Sequence, residues 1–380
     1  MRHDQKEFAN ATSSCIDVVG DNFEGFFLLL SLKSVFLPLY AFLTTVGVAG
    51  NSLLVAVLVR SRHLRTTTNF LLGNLALSDL LMCVTCVPIS AAYAFEPCGW
   101  VYGPVLCYLI AIVQPTTVYV SVLSLMTIAI DRYVVVAHPI QRRISPRICT
   151  YLVVVIWLVS AALASPVVVH TVYANIDLSQ EAKGKVRVKL IICEEIWNSD
   201  LHRLVYSSAM FVLSFVLPLF AVCTSNLAIS VTLRHRAVPG SAQTPQAKRK
   251  QNQIQLRTFK LLVIAVVTFV LCWLPLQVFN LIYDINQNST LINKRYFDVV
   301  KLSCHWLAMT STCWNPFIYA LLHRKFATAL RKGGFWSCRD RQGSLPSLPA
   351  TGNISAEHNS RQPPRSIAPT QELHAFPSTM

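Results

Sequence analysis

The chain has 380 residues, 53% of them hydrophobic and only 13% charged, against about 25% charged in a soluble globular protein. Together with a mean hydropathy of +0.47, this balance excludes a water-soluble fold and predicts a membrane protein. The net charge of +15 sits in short Lys/Arg segments between apolar runs, which is the pattern of cytoplasmic loops and excludes a nucleic-acid partner.

Residues 1–34 are predicted to form an extracellular tail. The first ten are polar, so no cleavable signal peptide is expected and the first span serves as its own insertion signal. Crossing a bilayer as a helix takes about 20 mostly apolar residues. Seven stretches qualify, near 35–59, 69–93, 105–136, 148–170, 204–233, 259–284 and 299–322. The predicted fold class is therefore an all-α seven-transmembrane helix bundle spanning 35–322. The loops after spans one, three and five carry Arg60, Arg62, Arg65, Arg142, Arg143, Arg147, Arg234, Arg236, Lys248, Arg249, Lys250 and Arg257, whereas the loop after span two has neither Lys nor Arg. Positive charge marks the cytoplasmic side, which puts the N-terminus outside a plasma membrane. The sequons at Asn10 and Asn288 fall on that outer side as glycosylation candidates.

Residues 323–334 alternate apolar and basic groups at helical spacing, predicting a short amphipathic helix against the lipids of the inner face, with Cys338 beyond it as a palmitoylation candidate. The tail from 335 to 380 is rich in Ser, Pro, Gln and Thr, the composition of a disordered segment. Its last three residues are a short candidate motif for a PDZ protein. Of the twelve cysteines, seven lie inside apolar runs as small hydrophobes, and only Cys15, Cys98, Cys107 and Cys193 are expected near the outer surface.

Polar groups inside the spans mark function, because burying them in lipid is expensive. Asp79 is mid-membrane, with Asn51 and Asn315 as natural partners, and reads as a cation or proton site. Asp131, Arg132 and Tyr133 close the cytoplasmic end of span three, where the arginine can pair with its neighbour or swing to another helix as a two-state latch. Pro166, Pro218, Pro275 and Pro316 each remove a helical hydrogen bond, and Phe269 and Trp273 lie next to the kink at Pro275.

In order and spacing, Gly50-Asn51, Leu77-Ser78-Asp79, Cys107, Asp131-Arg132-Tyr133, Trp157, Pro218, Cys272-Trp273-Leu274-Pro275 and Asn315-Pro316-Phe317-Ile318-Tyr319 resemble the rhodopsin-like G protein-coupled receptors. The resemblance implies a receptor and not an enzyme, with a heterotrimeric G protein, and arrestin, as inner partners. It implies a Cys107–Cys193 disulfide, leaving Cys98 with Cys15 as a candidate partner. A sodium ion at Asp79 and Ser121 is the one candidate bound ion; no other cofactor is expected. Activation would run through Arg132, Trp273, Pro275, Asn315, Pro316 and Tyr319. Asn226 departs from the family, which has a Tyr there to brace Arg132 in the active state.

The outer pocket is expected to take a peptide. Gln114 stands where receptors for small amines have an Asp, so that ligand class lacks its counter-charge. Glu96, Glu194, Glu195 and Asp284 are acids on the outer side, suited to an arginine. Trp100, Trp197, Tyr283 and Trp306 supply apolar walls, with Gln114, Gln277, Asn280 and His305 as polar anchors. Segments around Asn69–Asp79, Gln114-Pro115, Cys193-Glu194-Glu195, Val278–Leu281 and Cys304–Met309 are similar to receptors of the prolactin-releasing peptide type, related to the neuropeptide Y receptors. That closer likeness implies a ligand ending in Arg-Phe-amide, its Arg held by Asp284 and Glu194 or Glu195, and its Phe-amide near Gln114, Trp273 and Gln277. A transporter would show two like halves and paired interrupted helices, which these seven unlike spans do not.

Overall fold

A computed structural model describes residues 24–60, 66–137, 145–180, 186–235, 245–285 and 293–322. The described residues are mostly helical: α1 (Glu24–Ser31), α2 (Lys33–Arg60), α3 (Thr67–Ala94), α4 (Gly103–Ala137), α5 (Pro146–His170), α6 (Asp200–Phe211), α7 (Leu217–His235), α8 (Pro245–Ile285), α9 (Lys294–Met309) and α10 (Ser311–Leu322). An antiparallel hairpin, β1 (Thr171–Gln180) with β2 (Val186–Glu195), follows α5. Among the described residues, six helices are long and apolar enough to cross a membrane. The seventh span is the pair α9 and α10, individually too short.

The bundle is apolar outside, and its largely apolar core carries a set of buried polar groups. Asn51, Ser78, Asp79, Ser121, Ser124 and Asp131 are buried, whereas Phe42, Val105, Tyr151 and Val169 face outward at 67–78% exposure. Lipid tails solvate those apolar faces, so helix association rests on close packing and interhelical hydrogen bonds. Asn74 is one such staple: it accepts from Trp157 Nε1 at 2.9 Å and donates to Ser124 Oγ at 2.9 Å, joining α3, α4 and α5.

Two spans are broken for identifiable reasons. Pro218 cannot donate to the preceding turn, and just before it residues Val212–Val216 widen into a π-helical turn, with Leu217 N–H bonded to Val212 O. In span seven, Pro316 lacks an amide for the carbonyl of Thr312. That carbonyl instead accepts from Asn51 Nδ2 at 2.9 Å, so a side chain of α2 substitutes for the missing backbone bond. The helix breaks at Thr310, whose hydroxyl donates back to Leu307 O at 2.6 Å.

Two elements differ from the sequence expectation. Residues 24–31, assigned to the tail, form α1, which lies against α9; a side-chain atom at Gly25 would come within 2.8 Å of Lys294 O. The loop after span four is the hairpin. It is tied to the top of α4 by the Cys107–Cys193 disulfide, with Cα atoms 5.8 Å apart, as the family resemblance implied. The loop after span two docks on it as well: Trp100 N–H donates to Ile191 O at 2.7 Å, and Ile191 N–H to Cys98 O at 3.1 Å. Gly99 between them has φ +82°, and a Cβ there would sit 2.1 Å from Ile191 O, so no other residue fits without moving the hairpin. Cys98 is itself disulfide-bonded. Cys15, Asn10, Asn288, Arg142, Arg143, Cys338, the 323–334 segment and the tail lie outside the described residues.

Candidate functional site

At the hairpin end, Arg203 of α6 organises the acids. Its Nε lies 2.7 Å from Asp284 Oδ1, with the two side chains 26% and 3% exposed. Asp284, one of the acids expected on the outer side, is buried and paired with an internal arginine. The same guanidinium lies 5.2 Å from the centroid of Tyr283, a cation–π contact. Glu195, at the end of β2, accepts a hydrogen bond from Trp197 Nε1 and feels both Arg203 and Asp284. The residue is exposed overall, yet burial of its carboxylate raises its pKa above the usual glutamate value; the bond from Trp197 and the positive charge of Arg203 pull the other way. Trp197 stacks on His170 with centroids 3.7 Å apart and packs against Tyr206 at 5.4 Å. Glu194 is exposed and pairs in register with Val172 of β1.

A second cluster lies between the spans. Gln114 Nε2 is 3.3 Å from His305 Nε2, and the other ring nitrogen is 2.8 Å from Tyr40 Oη. An amide N–H can only donate, so the ring accepts at Nε2 and carries its proton on Nδ1. Tyr40 Oη then accepts the hydrogen bond from Nδ1–H and donates its own to Leu302 O at 3.4 Å. One directed chain thus links α4, α9 and α2. The sequence singled out Gln114 and His305 but not Tyr40. Trp306 Nε1 is buried without a hydrogen-bond partner among the described residues. Gln277 and Asn280 are half-buried on α8, between Trp273 and Asp284 in sequence.

Deeper, Trp273 is 4% exposed and donates from Nε1 to Ser311 Oγ at 2.9 Å, tying the kink at Pro275 to the break in span seven. Phe211, Phe215, Phe269 and Trp273 follow one another with centroids 5.2 to 6.3 Å apart. Below lies a cavity lined by Asp79, Ser121, Trp273, Ser311 and Asn315, among others. Asp79 accepts from Asn315 Nδ2 at 2.7 Å and from Ser121 Oγ at 3.4 Å, and Ser121 also bonds Ser78 at 3.0 Å. Among the described residues, the hydrogen-bond partners of this buried carboxylate are neutral. Among the described residues there is no cluster of three His, Cys, Asp or Glu side chains that could hold a metal.

At the opposite end, Arg132 Nη2 is 2.5 Å from Asp131 Oδ2. Thr68 of α3 donates to the same oxygen at 3.0 Å and also accepts from Arg132. The Asp131–Arg132 pair singled out in the sequence is thus part of a cluster across two helices, of which the sequence did not single out Thr68. Tyr133 is half-buried beside it, and Tyr319 is 5% exposed in α10 after Asn315 and Pro316. Asn226 is in α7 and Arg257 in α8, but their side chains lie outside what is described.

Residues 50–319 match the 7 transmembrane receptor (rhodopsin family) pattern. The chain is 33% identical over 324 residues to neuropeptide Y receptor type 6 of Mus musculus, covering 80% of this chain and 83% of the relative. It is 30% identical over 340 residues to neuropeptide Y receptor type 2 of Homo sapiens (87% and 85%) and 31% identical over 320 residues to that of Gallus gallus (83% and 79%).

Proposed function

The chain belongs to the rhodopsin family of seven-transmembrane receptors, and from that premise we propose that it is the receptor for an amidated neuropeptide ending in Arg-Phe-amide, of the prolactin-releasing peptide type. The observation that carries this reading is that the hairpin end already seats a guanidinium, Arg203, between Asp284 and Tyr283 with Glu195 alongside. A site that accommodates one arginine has the shape and charge for the arginine of a peptide. The relatives' names, all neuropeptide Y receptors, support a peptide ligand and supply the second reading, a neuropeptide Y-type peptide. The hairpin end faces outward in this proposal, so the N-terminus is extracellular.

The peptide's arginine pairs with Asp284 and with Glu195 or Glu194, and its Phe-amide reaches toward Gln114, Gln277, Asn280, His305 and Trp273. Bound peptide favours a state in which the inner half of α8 swings outward about Pro275, releasing Arg132 from Asp131 toward a G protein. A sodium ion held by Asp79 and Ser121 would stabilise the resting state. The fit rests on a buried carboxylate whose hydrogen-bond partners among the described residues, Asn315 and Ser121, are neutral.

The test is a panel of amidated peptides on cells expressing the chain, read by nucleotide exchange on a G protein. Arg-Phe-amide peptides are expected to act at the lowest concentration. Asp284→Ala should weaken them about 10-fold or more, since truncating one partner of a buried charge pair costs about 2–5 kcal/mol. Preference for neuropeptide Y-type peptides would establish the second reading, and no response to any amidated peptide would remove both.

A further inference from the structure

We propose that Arg203 determines specificity as a tethered occupant: it fills the Asp284 seat in the empty receptor and yields that seat only to a ligand guanidinium. The inference rests on the reading of this end as an arginine-peptide site. Asp284 is 3% exposed and Arg203 Nε lies 2.7 Å from its Oδ1, so a ligand group that is to pair with that oxygen must displace Arg203. Arg203 itself is 26% exposed, held at the edge of the cluster and not locked within it. It has a second carboxylate to move to, since Glu195 already lies within its electrostatic reach.

Charge explains the selectivity. Within this trio, the carboxylates of Glu195 and Asp284 face the single guanidinium of Arg203. One incoming guanidinium adds the second positive charge to this trio, with Arg203 relayed to Glu195 and the ligand seated on Asp284, Glu194 then being the ligand's second acid. A neutral group that displaced Arg203 would leave a buried carboxylate unpaired, and an ammonium would offer a point charge in place of the planar fork that pairs with carboxylates and stacks on Tyr283. Arg203 therefore acts as an internal competitor that sets the threshold a ligand must exceed.

The test uses full-length receptor in lipid vesicles and two amidated probes, one ending in Arg-Phe-amide and its twin with neutral citrulline for arginine. In Arg203→Gln, the arginine probe is expected to bind about 10-fold more tightly, the gain when a seat filled about nine times in ten is vacated, while the citrulline probe changes little. Arg203→Lys should shift affinity in the same direction by less. Unchanged or weaker binding of the arginine probe to Arg203→Gln overturns the exchange. Should that variant fail to fold, Arg203→Lys decides by the same sign. Equal binding of both probes to the unmodified receptor overturns instead the reading of the site on which the exchange rests.

Discussion

Thr68→Val removes one hydroxyl and preserves shape. In the structure that hydroxyl donates to Asp131 Oδ2 at 3.0 Å while also accepting from Arg132. Thr68 and Asp131 are 7% and 6% exposed, and the Arg132 side chain is 25% exposed. A hydrogen bond to a charged group contributes about 1.5–3 kcal/mol. Water can reach Arg132 and replace part of the loss, so about 1–2 kcal/mol is the fair expectation for the resting state. Activation requires Arg132 to leave this cluster, so the active state loses little by the change. At about 1.4 kcal/mol per tenfold, the resting-to-active ratio falls about 5- to 30-fold, and a basal active population of about 1% rises to about 5–25%. The assay is agonist-free nucleotide exchange on a purified G protein with receptor in vesicles, normalised to agonist-stimulated exchange. A basal rate equal to that of the unmodified receptor, with agonist response retained, refutes the assignment of Thr68 to the latch.

Three further outcomes follow from other parts of the site. Because burial raises the pKa of Glu195, its carboxylate is charged above that raised value and becomes neutral as pH falls through it; arginine-peptide affinity should decline on acidification at a higher pH than an ordinary glutamate would give, and Glu195→Gln should flatten the profile in a binding titration. Raising sodium at constant ionic strength should lower agonist affinity, and Asp79→Asn should abolish that sensitivity; identical sodium dependence in the variant would remove the ion from Asp79. Tyr40→Phe breaks the proton chain at His305 and should weaken peptide binding by about 5-fold, the range of one neutral hydrogen bond, without altering agonist-free exchange.

What the sequence showed about this molecule, and what it concealed, follows from interaction range. Spans are legible because each needs about 20 apolar residues in a row, and the motifs because they are contiguous. The hairpin carried its own signal, the alternation of Val186, Val188 and Leu190 with Arg187 and Lys189, a period of two that a search for transmembrane length passes over. Thr68 and Tyr40 were invisible for another reason. A hydroxyl has no meaning until its partner is known, and the partners lie 63 and 265 residues away. Arg203 stands one residue before span five in the sequence, and only the fold brings Asp284 of α8 to it. The Asn51–Thr312 bond was half legible: Pro316 announces an orphaned carbonyl, but not which helix will satisfy it.

The arrangement also suggests how binding at one end could bias the other. Asp284 and Trp273 belong to the same helix, α8, with Pro275 between them. Above the proline the helix is held to α6 through Arg203. At its level it is held to span seven through the Trp273–Ser311 bond, beside the break at Thr310. A ligand that replaces Arg203 on Asp284 removes the tether to α6 without touching the tether to α10. The outer half stays packed on α9 through Phe279 and Tyr283 against Phe297, so the freedom gained is of α8 relative to α6, about Pro275, where the backbone ladder lacks a bond. A coupling claim of this kind needs a two-state element biased from both ends, and α8 is the element in this fold that meets the ligand site, the cavity beside Asp79 and, through its inner half, the side from which a G protein would reach Arg132. Arg203 and Trp273 substitutions should accordingly be non-additive in agonist efficacy. If a double-mutant cycle on Arg203→Gln and Trp273→Phe returns no interaction energy, α8 does not transmit the signal as one rigid lever.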